Sequence, residues 1–343
     1  MKYRCFLTVL FLFLAAGMYA QKGKGSQITI VFYNTENIFD TIDDPVKSDE
    51  DFLPSSKIAW TGERYQRKLS NIARALWEID SLDLPAVIGL AEIENISALN
   101  DLINKTRLKE GNYAAILEEG SDPRGIDVAL IYRKTVMKYI SHKAFPSAQS
   151  FRTRNILYVE LADAEKDTFH IFVNHWKSRS GGAAQTEPQR IENAKILKRL
   201  TDSLLRRNPA ANVILLGDFN DEPDNKSLAE TLGALRPGKT AVPTDLYNLM
   251  YERFLDGEGT LFYKDWDLFD QVIVSGNLLR KKRGNGAIIE PPYAYISKPG
   301  WLLFKNSNGE MVPNRTAGSK EYYGGYSDHL PVYTKIQDLK ISR

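Results

Sequence analysis

The chain has 343 residues, with 45 Lys and Arg against 43 Asp and Glu, and is 43% hydrophobic, 26% charged and 11% aromatic. That balance excludes a disordered, collagen-like or disulfide-stapled chain and supports a large buried core. A formal charge of only +2 also excludes attraction to a polyanion through net charge, so any nucleic-acid binding must rest on a local patch.

At the N-terminus, "MKYRC" is basic, "FLTVLFLFLAAG" is apolar, and "MYAQ" offers a small residue before a polar one. This is the order of a secretory signal, and the run is too short for a comfortable membrane span. Residues 1–20 are therefore expected to be a signal peptide cleaved near Ala20, residues 21–26 a flexible leader, and residues 27–340 one domain. Cleavage removes Cys5, the only cysteine, together with Lys2 and Arg4 and no acid, which takes the formal charge to zero. The mature protein then needs no disulfide in a secreted or periplasmic location.

"ITIVFYN" reads as a buried strand, followed by an acidic, Pro-containing loop over residues 41–60. Tyr65, Leu69, Ile72, Leu76 and Ile79 recur at helical spacing and predict an amphipathic helix over residues 63–79. "AVIGLAE" is a short apolar strand ending in an acid, residues 95–106 read as helix, and "YAAIL" and "DVALIYR" read as strands. "ILYVELA" and "TFHIFVNH" flank "DAEKD" as a hairpin. Ile191, Ala194, Leu197, Leu204 and Leu205 mark a helix over residues 187–207, and "NVILLGDFN", "LFDQVIVS" and "HLPVYTKI" complete the strands. Hairpins mixed with helix-separated strands favour one α/β domain with mixed sheets. Residues 279–326 are the least regular, carrying "RKKRGNG" and the exposed-looking Tyr293, Tyr295, Trp301, Tyr322 and Tyr323. They fit a solvated excursion or a substrate-facing loop that joins phosphate contacts to base stacking.

Several apolar strands stop on polar groups: Glu92 in "VIGLAE", Asp218 and Asn220 in "VILLGDFN", His175 in "IFVNH". Charge is costly inside a doubly covered strand and cheap where the strand emerges, which is where α/β sheets gather their ligands. Carboxylates and amides without thiols suit a hard divalent cation such as Mg²⁺ better than zinc. Each group also has a structural explanation. Glu92 fits a helix cap or surface acid, "GDFNDEPD" an Asx turn, and His175 a hydrogen-bonded strand end. His142 and His170 are expected to be structural, and Glu94, Asp221 and Asp267 bystanders. Asp328 and His329 in "YSDHLPV" are neighbours, so on a strand they face opposite ways.

"VFYNTEN", "GLAEIEN", "RGIDVALIY", "VNHWKS", "LLGDFND", "LFDQVIVS" and "YSDHLPV" follow one another from residue 31 to 332. This ordered set resembles the endonuclease/exonuclease/phosphatase superfamily, in particular secreted bacterial nucleases and the pancreatic deoxyribonuclease type. The resemblance implies a four-layer α/β sandwich, two packed mixed sheets flanked by helices. It implies Glu92 as principal metal ligand with Asn34 and Asp328, and Asp218 and Asn220 beside the scissile phosphate. It further implies His329 facing the phosphate and oriented by Asp270, and His175 as a second histidine with Asp127 as its acid partner. Lys177, Arg179 and Arg124 are the expected substrate contacts. Lys177, Arg179 and Arg190 also fit solvated surface roles. The implied cofactor is Mg²⁺, with Mn²⁺ or Ca²⁺ as alternatives.

The expected function is thus a secreted, monomeric, divalent-metal-dependent phosphodiesterase, foremost an endonuclease on DNA or RNA. Two alternatives stand beside it. One is a phosphatase or phospholipase C-like enzyme on inositol phosphates or sphingomyelin, for which "GWLLF" at residues 300–304 is a short candidate docking segment. The other is a non-catalytic binding protein on the same fold.

Overall fold

The computed structural model describes residues 27–280, 286–318 and 320–338. In chain order the main elements are β1 (Gln27–Ile38), α1 (Gly62–Ile79), β2 (Val87–Ile93), α2 (Ile96–Asn104), β3 (Tyr113–Leu117), β4 (Asp127–Arg133), β5 (Lys138–Pro146), β6 (Asn155–Ala162), β7 (Thr168–His175), α3 (Ala183–Arg207) and β8 (Asn212–Asp218). Then follow β9 (Ala234–Leu235), β10 (Leu246–Asn248), α4 (Tyr251–Leu255), β11 (Leu261–Phe262), β12 (Trp266–Asp267), β13 (Asp270–Ser275), β14 (Ala287–Ile288), β15 (Tyr295–Ile296), β16 (Leu303–Lys305), β17 (Met311–Pro313) and β18 (Val332–Asp338).

The strands form two mixed sheets. One runs β14-β18-β1-β2-β4-β3, with β15 also on β18, and the other β5-β6-β7-β8-β13-β10-β9. Alternation along each strand explains how they stack. In β1, Ile30 and Phe32 face the second sheet and join Val173 of β7, Leu216 of β8 and Val272 of β13 in one buried cluster. Val31 and Tyr33 face the other way and pack with Leu69, Ile72 and Leu76 of α1 and Leu99 and Leu102 of α2. On the far side, Val213, Leu215 and Ile273 meet Ala194, Leu197 and Leu205 of α3. The order is helix, sheet, sheet, helix, the expected four-layer sandwich. Strands covered on both faces must be apolar throughout, which is why "ITIVFYN" and "NVILLG" do not alternate.

Thr61 and Asn95 cap α1 and α2, each accepting a backbone N–H from the first turn. The helix expected over residues 95–106 ends at Asn104 and gives way to a 3₁₀ turn. α3 begins at Ala183, before the expected residue 187, and continues through Pro188. β5 escaped the sequence reading because this edge strand buries little and therefore shows no apolar pattern. The last strand starts at Val332, not at His329.

The irregular region is also more ordered than expected. β14 and β15 pair with β18, and β16 pairs with β17. Of Tyr293, Tyr295, Trp301, Tyr322 and Tyr323, only Tyr323 is exposed. Tyr293 meets Tyr295, Tyr295 stacks on Tyr333, Trp301 meets Tyr326, and Tyr322 meets Trp60. "GWLLF" is no free apolar tip either: Leu302 is buried, Trp301 lies under Arg74, and only Phe304 is exposed. The signal peptide and leader, residues 281–285 of the basic run, and the last residues of the expected domain lie outside the described residues. Among the described residues, no helix is long and apolar enough to cross a membrane.

Candidate active site

Three adjacent strands of the second sheet bring polar groups into one row. His175 ends β7 and pairs in register with Asp218, the last residue of β8, which pairs with Asp270, the first residue of β13. Directly paired residues point to the same face. The other sheet contributes from its facing edge. β1 and β2 lose register between Asn34 and Ile38 and between Ala91 and Ile93. Such bulges re-aim side chains. Glu92 sits within the second irregularity at φ +65°. Glu36, Asn37 and Asn220 also adopt positive φ, so four of the eight non-glycine residues with positive φ among the described residues lie on the segments that carry this site. Backbone strain collects at functional positions because only a packed surrounding can hold it.

Asp218 Oδ2 is the hub. Asn34 Nδ2 donates to it at 3.0 Å and reaches Glu92 Oε1 at 3.5 Å. His175 Nε2 lies 3.5 Å from Asp218 Oδ2 and 3.8 Å from Glu92 Oε1. His329 Nε2 approaches Asp218 Oδ2 to 3.8 Å, while its Nδ1 bonds Asp270 Oδ2 at 2.7 Å. Asn220 N donates to Asp218 Oδ1 at 2.9 Å, and its side-chain amide donates to Trp176 O. Glu92, Asp218 and His329, far apart in the chain, do converge.

The two imidazoles differ in charge. Burial opposes protonation of His329, but Asp270, Asp218 and Asp328 outweigh it and carry its pKa well above the ordinary range. His175 is held well below it, by burial first and then by the charges of Arg154 and Arg124. Burial raises Asp218 to about 6, against the pull of His329. One positive and one neutral imidazole therefore flank a carboxylate whose proton affinity lies near neutrality.

Not every expected contact forms. His175 and Asp127 do not meet: His175 Nδ1 has no hydrogen-bond partner, and Asp127 accepts from Gly120 N at 2.8 Å. The reason is register, since Asp127 pairs with Ile93 just past the bulge and its side chain is taken by the neighbouring loop. Asn34 Oδ1 accepts from Glu36 N, so the amide turns its NH₂ and not its oxygen toward Glu92 and Asp218. Asp328 is paired with Arg315 at 3.3 Å. Arg124 is half exposed and leans on Asp122, Lys177 is half-buried, and Arg179 is tied to Asn220 O, Asp221 and Asn225. Arg190 is buried against Asp221, a structural role. His142 bonds Tyr139 and Glu118, and His170 bonds Tyr158.

Four charged groups near the site were not singled out from the sequence. Glu36 is buried and accepts from Arg315 Nε and Thr316 N. Lys68 of α1 donates to Thr316 and to Tyr326 O. Together with Arg315 they fasten the segment that precedes Asp328 and His329. Arg154, buried between β5 and β6, bonds Asp122 at 2.9 Å and Trp176 O at 2.6 Å. Burying an Arg or Lys costs enough to require partners, and charged residues that anticipate burial carry no local sequence signal.

The donor set fits a divalent cation. Glu92 and Asp218 bring carboxylate oxygens to the same amide, with no thiol nearby, which suits a hard ion. Asp218, Asp270 and His329 also place ligand-type atoms within 4.8 Å of one another. There, however, Asp270 Oδ2 is already spent on the imidazole.

The sequence matches the model of the Endonuclease/Exonuclease/phosphatase family over residues 29–338. No curated protein sequence matches the chain. Among solved structures, it is similar to an endonuclease/exonuclease/phosphatase family protein from Bacteroides thetaiotaomicron, with a TM-score of 0.55 and 14% identity over 93% of this chain and 97% of that one. It is similar to D. rerio TDP2 complexed with single strand DNA product, with a TM-score of 0.53 and 17% identity over 91% and 99%. A Bacteroides thetaiotaomicron mannosyl-6-phosphatase gives a TM-score of 0.52 and 15% identity over 91% and 99%. At such identities the structural likeness is one of fold, and the family match covers nearly the whole described chain. The chain belongs to the endonuclease/exonuclease/phosphatase family, whose members hydrolyse phosphoester bonds.

Proposed function

We propose that this protein is an exported, monomeric, divalent-metal-dependent phosphodiesterase that cleaves nucleic acid. The observation that carries the reading is Asp218, set between Glu92, a neutral His175 and a charged His329. Glu92 would hold the cation, with Asp218 across the Asn34 amide from it. A bound divalent ion supplies charge stabilisation at a non-bridging phosphate oxygen. Asp218 Oδ2, between the two imidazoles, is placed to take a proton from the attacking water. His329, charged and fixed at Nδ1 by Asp270, presents Nε2–H to the leaving oxygen. The water oxygen bonds to phosphorus, the bridging P–O bond breaks, and the leaving oxygen receives the proton from His329. Asn34 aligns the carboxylates, and Asn220 fixes the turn beyond Asp218. His175 meets the site through Nε2. A non-catalytic role is disfavoured because none of these groups has been replaced.

A large cavity opens beside Asn220 and Asp328 and is lined by aromatic side chains, which favours a nucleotide chain as substrate. Its recessed form also favours a second reading, release of phosphate from a small phosphorylated molecule. Plasmid DNA, single-stranded DNA, RNA and a sugar phosphate, each tested with Mg²⁺ and then with EDTA, separate the two. Metal-dependent cleavage of any nucleic acid is expected. Phosphate release from the sugar phosphate alone would overturn the nuclease reading. Export is supported by the basic, apolar and small-residue order of residues 1–20. A protein isolated from the periplasm or medium should begin near Gln21.

A further inference from the structure

The cavity beside Asn220 and Asp328 has a volume of about 1280 Å³, beyond the roughly 300–1,000 Å³ of a small-ligand site. Two guanidinium groups line it, and neither is free. Arg179 donates to Asn220 O, Asp221 and Asn225, lies 3.9 Å from Asp267 and covers the ring of Phe269. Arg315 donates to Glu36 and Asp328.

Six aromatic side chains stand among the rest of the lining, and three of them are exposed. Tyr263, between β11 and β12, is 79% exposed, Phe304 of β16 is 51% exposed, and Tyr323 is 54% exposed. Other rings lining the cavity are used internally: Tyr322 packs on Trp60 under Arg64, and Phe269 lies under Arg179. Phe304, Tyr323 and Tyr263 meet no other ring among the described residues, and of the three only Tyr263 has a cation, Lys264, over its face. Large rings left in water beside a reaction centre mark a contact surface.

The geometry points to single-stranded nucleic acid as the substrate, its bases stacked on Phe304, Tyr323 and Tyr263, with duplex excluded. The inference rests on the nuclease reading above. Duplex recognition needs unpaired Lys or Arg to displace counterions from a regular phosphate backbone; the cations here are already neutralised by acids of this chain. Stacking needs bare aromatic faces instead, and it needs bases whose own faces are open, as in a single strand and not in a duplex. A bilayer is a poorer occupant, because these rings line a concavity that a flat surface cannot enter.

The test uses the full mature chain with Mg²⁺, a short labelled oligonucleotide, and the same sequence as duplex, over about 50 to 200 mM salt. The single strand should be preferred by tenfold or more in kcat/KM, with a KM that varies weakly with salt. Phe304→Ala and Tyr323→Ala should each raise the single-strand KM about tenfold, as loss of one stacked base does. Leu82→Ala, on an exposed turn after α1 outside the cavity, should not. Equal cleavage of duplex with a steep salt dependence, or ring variants with unchanged KM, overturns this inference and leaves the nuclease reading standing. If no oligonucleotide is cleaved while a sugar phosphate or a phospholipid vesicle is hydrolysed, the nuclease reading itself falls, and this inference with it.

Discussion

Asp270 grips His329 with one oxygen only: Oδ2 lies 2.7 Å from Nδ1, while Oδ1 is buried without a hydrogen-bond partner. A fully buried carboxylate so poorly served by other donors depends on the imidazolium for its compensation. The pair therefore makes two separable contributions, one to turnover and one to stability.

His329→Ala should lower kcat by about 10²–10⁴-fold, the usual worth of one positioned acid or base. It should also destabilise the fold at neutral pH by up to about 3–5 kcal/mol, because Asp270 is left buried and unpaired. Adding Asp270→Asn should restore most of that stability and none of the activity. Urea unfolding and single-turnover rates on the two variants check this; recovery of both properties together would refute the division of roles.

Glu92 and Asp218 converge on the Asn34 amide. A divalent ion bound there stabilises the folded state by about 2.7 kcal/mol at a hundredfold excess over Kd. Mg²⁺ or Mn²⁺ should thus raise the melting temperature of the wild-type protein. Glu92→Gln, similar in size but without the charge, should abolish most of the shift. A shift of the same size in both proteins, read by calorimetry without substrate, would move the cation elsewhere.

How far such a site can be read from sequence depends on where each group gets its partners. Asp218 was legible because it terminates an apolar run, where a charge has few other places to be, whereas Asp270 came only with the family resemblance. His329 was legible because the motif around it recurs late and in order. The His175–Asp127 pairing failed because strand register, invisible in the sequence, turns Asp127 toward Gly120. Lys68 lies on α1 between Tyr65 and Ile72 on the same face, but its partners Thr316 and Tyr326 come from a segment late in the chain. Groups at the ends of their own strands were recoverable, and His329 from its motif; Lys68, partnered by tertiary closure, was not.

Arg154 belongs to the second kind. With Asp122 it forms a buried pair at 2.9 Å, both side chains nearly inaccessible, and it also holds Trp176 O. Arg154→Met removes the cation and leaves Asp122 with the exposed Arg124 alone. Such a break costs about 3–5 kcal/mol, read as a lower urea midpoint. Because the charge of Arg154 helps to keep His175 neutral, the variant should also raise the His175 pKa. An imidazole titration by NMR would show it, and a change in stability without that rise would separate the two effects.

Asp127 gives the pH dependence. It is buried, and burial raises its pKa from 3.8 to about 7 despite the Gly120 N–H and the charge of Lys47. In the unfolded chain the group ionises near 4, so between about 4 and about 7 the folded state holds more protons. Stability contributed by the neutral form is therefore present at low pH and lost as pH rises through that window, at no more than about 1.4 kcal/mol per pH unit. Asp127→Asn keeps an acceptor for Gly120 and cannot ionise. The variant should match the wild type near pH 4 and become progressively more stable than it up to about pH 7, levelling beyond. Urea titrations across this range decide the matter: a difference that does not change with pH would mean that Asp127 is charged in the fold and that an unrecognised cation pays for it.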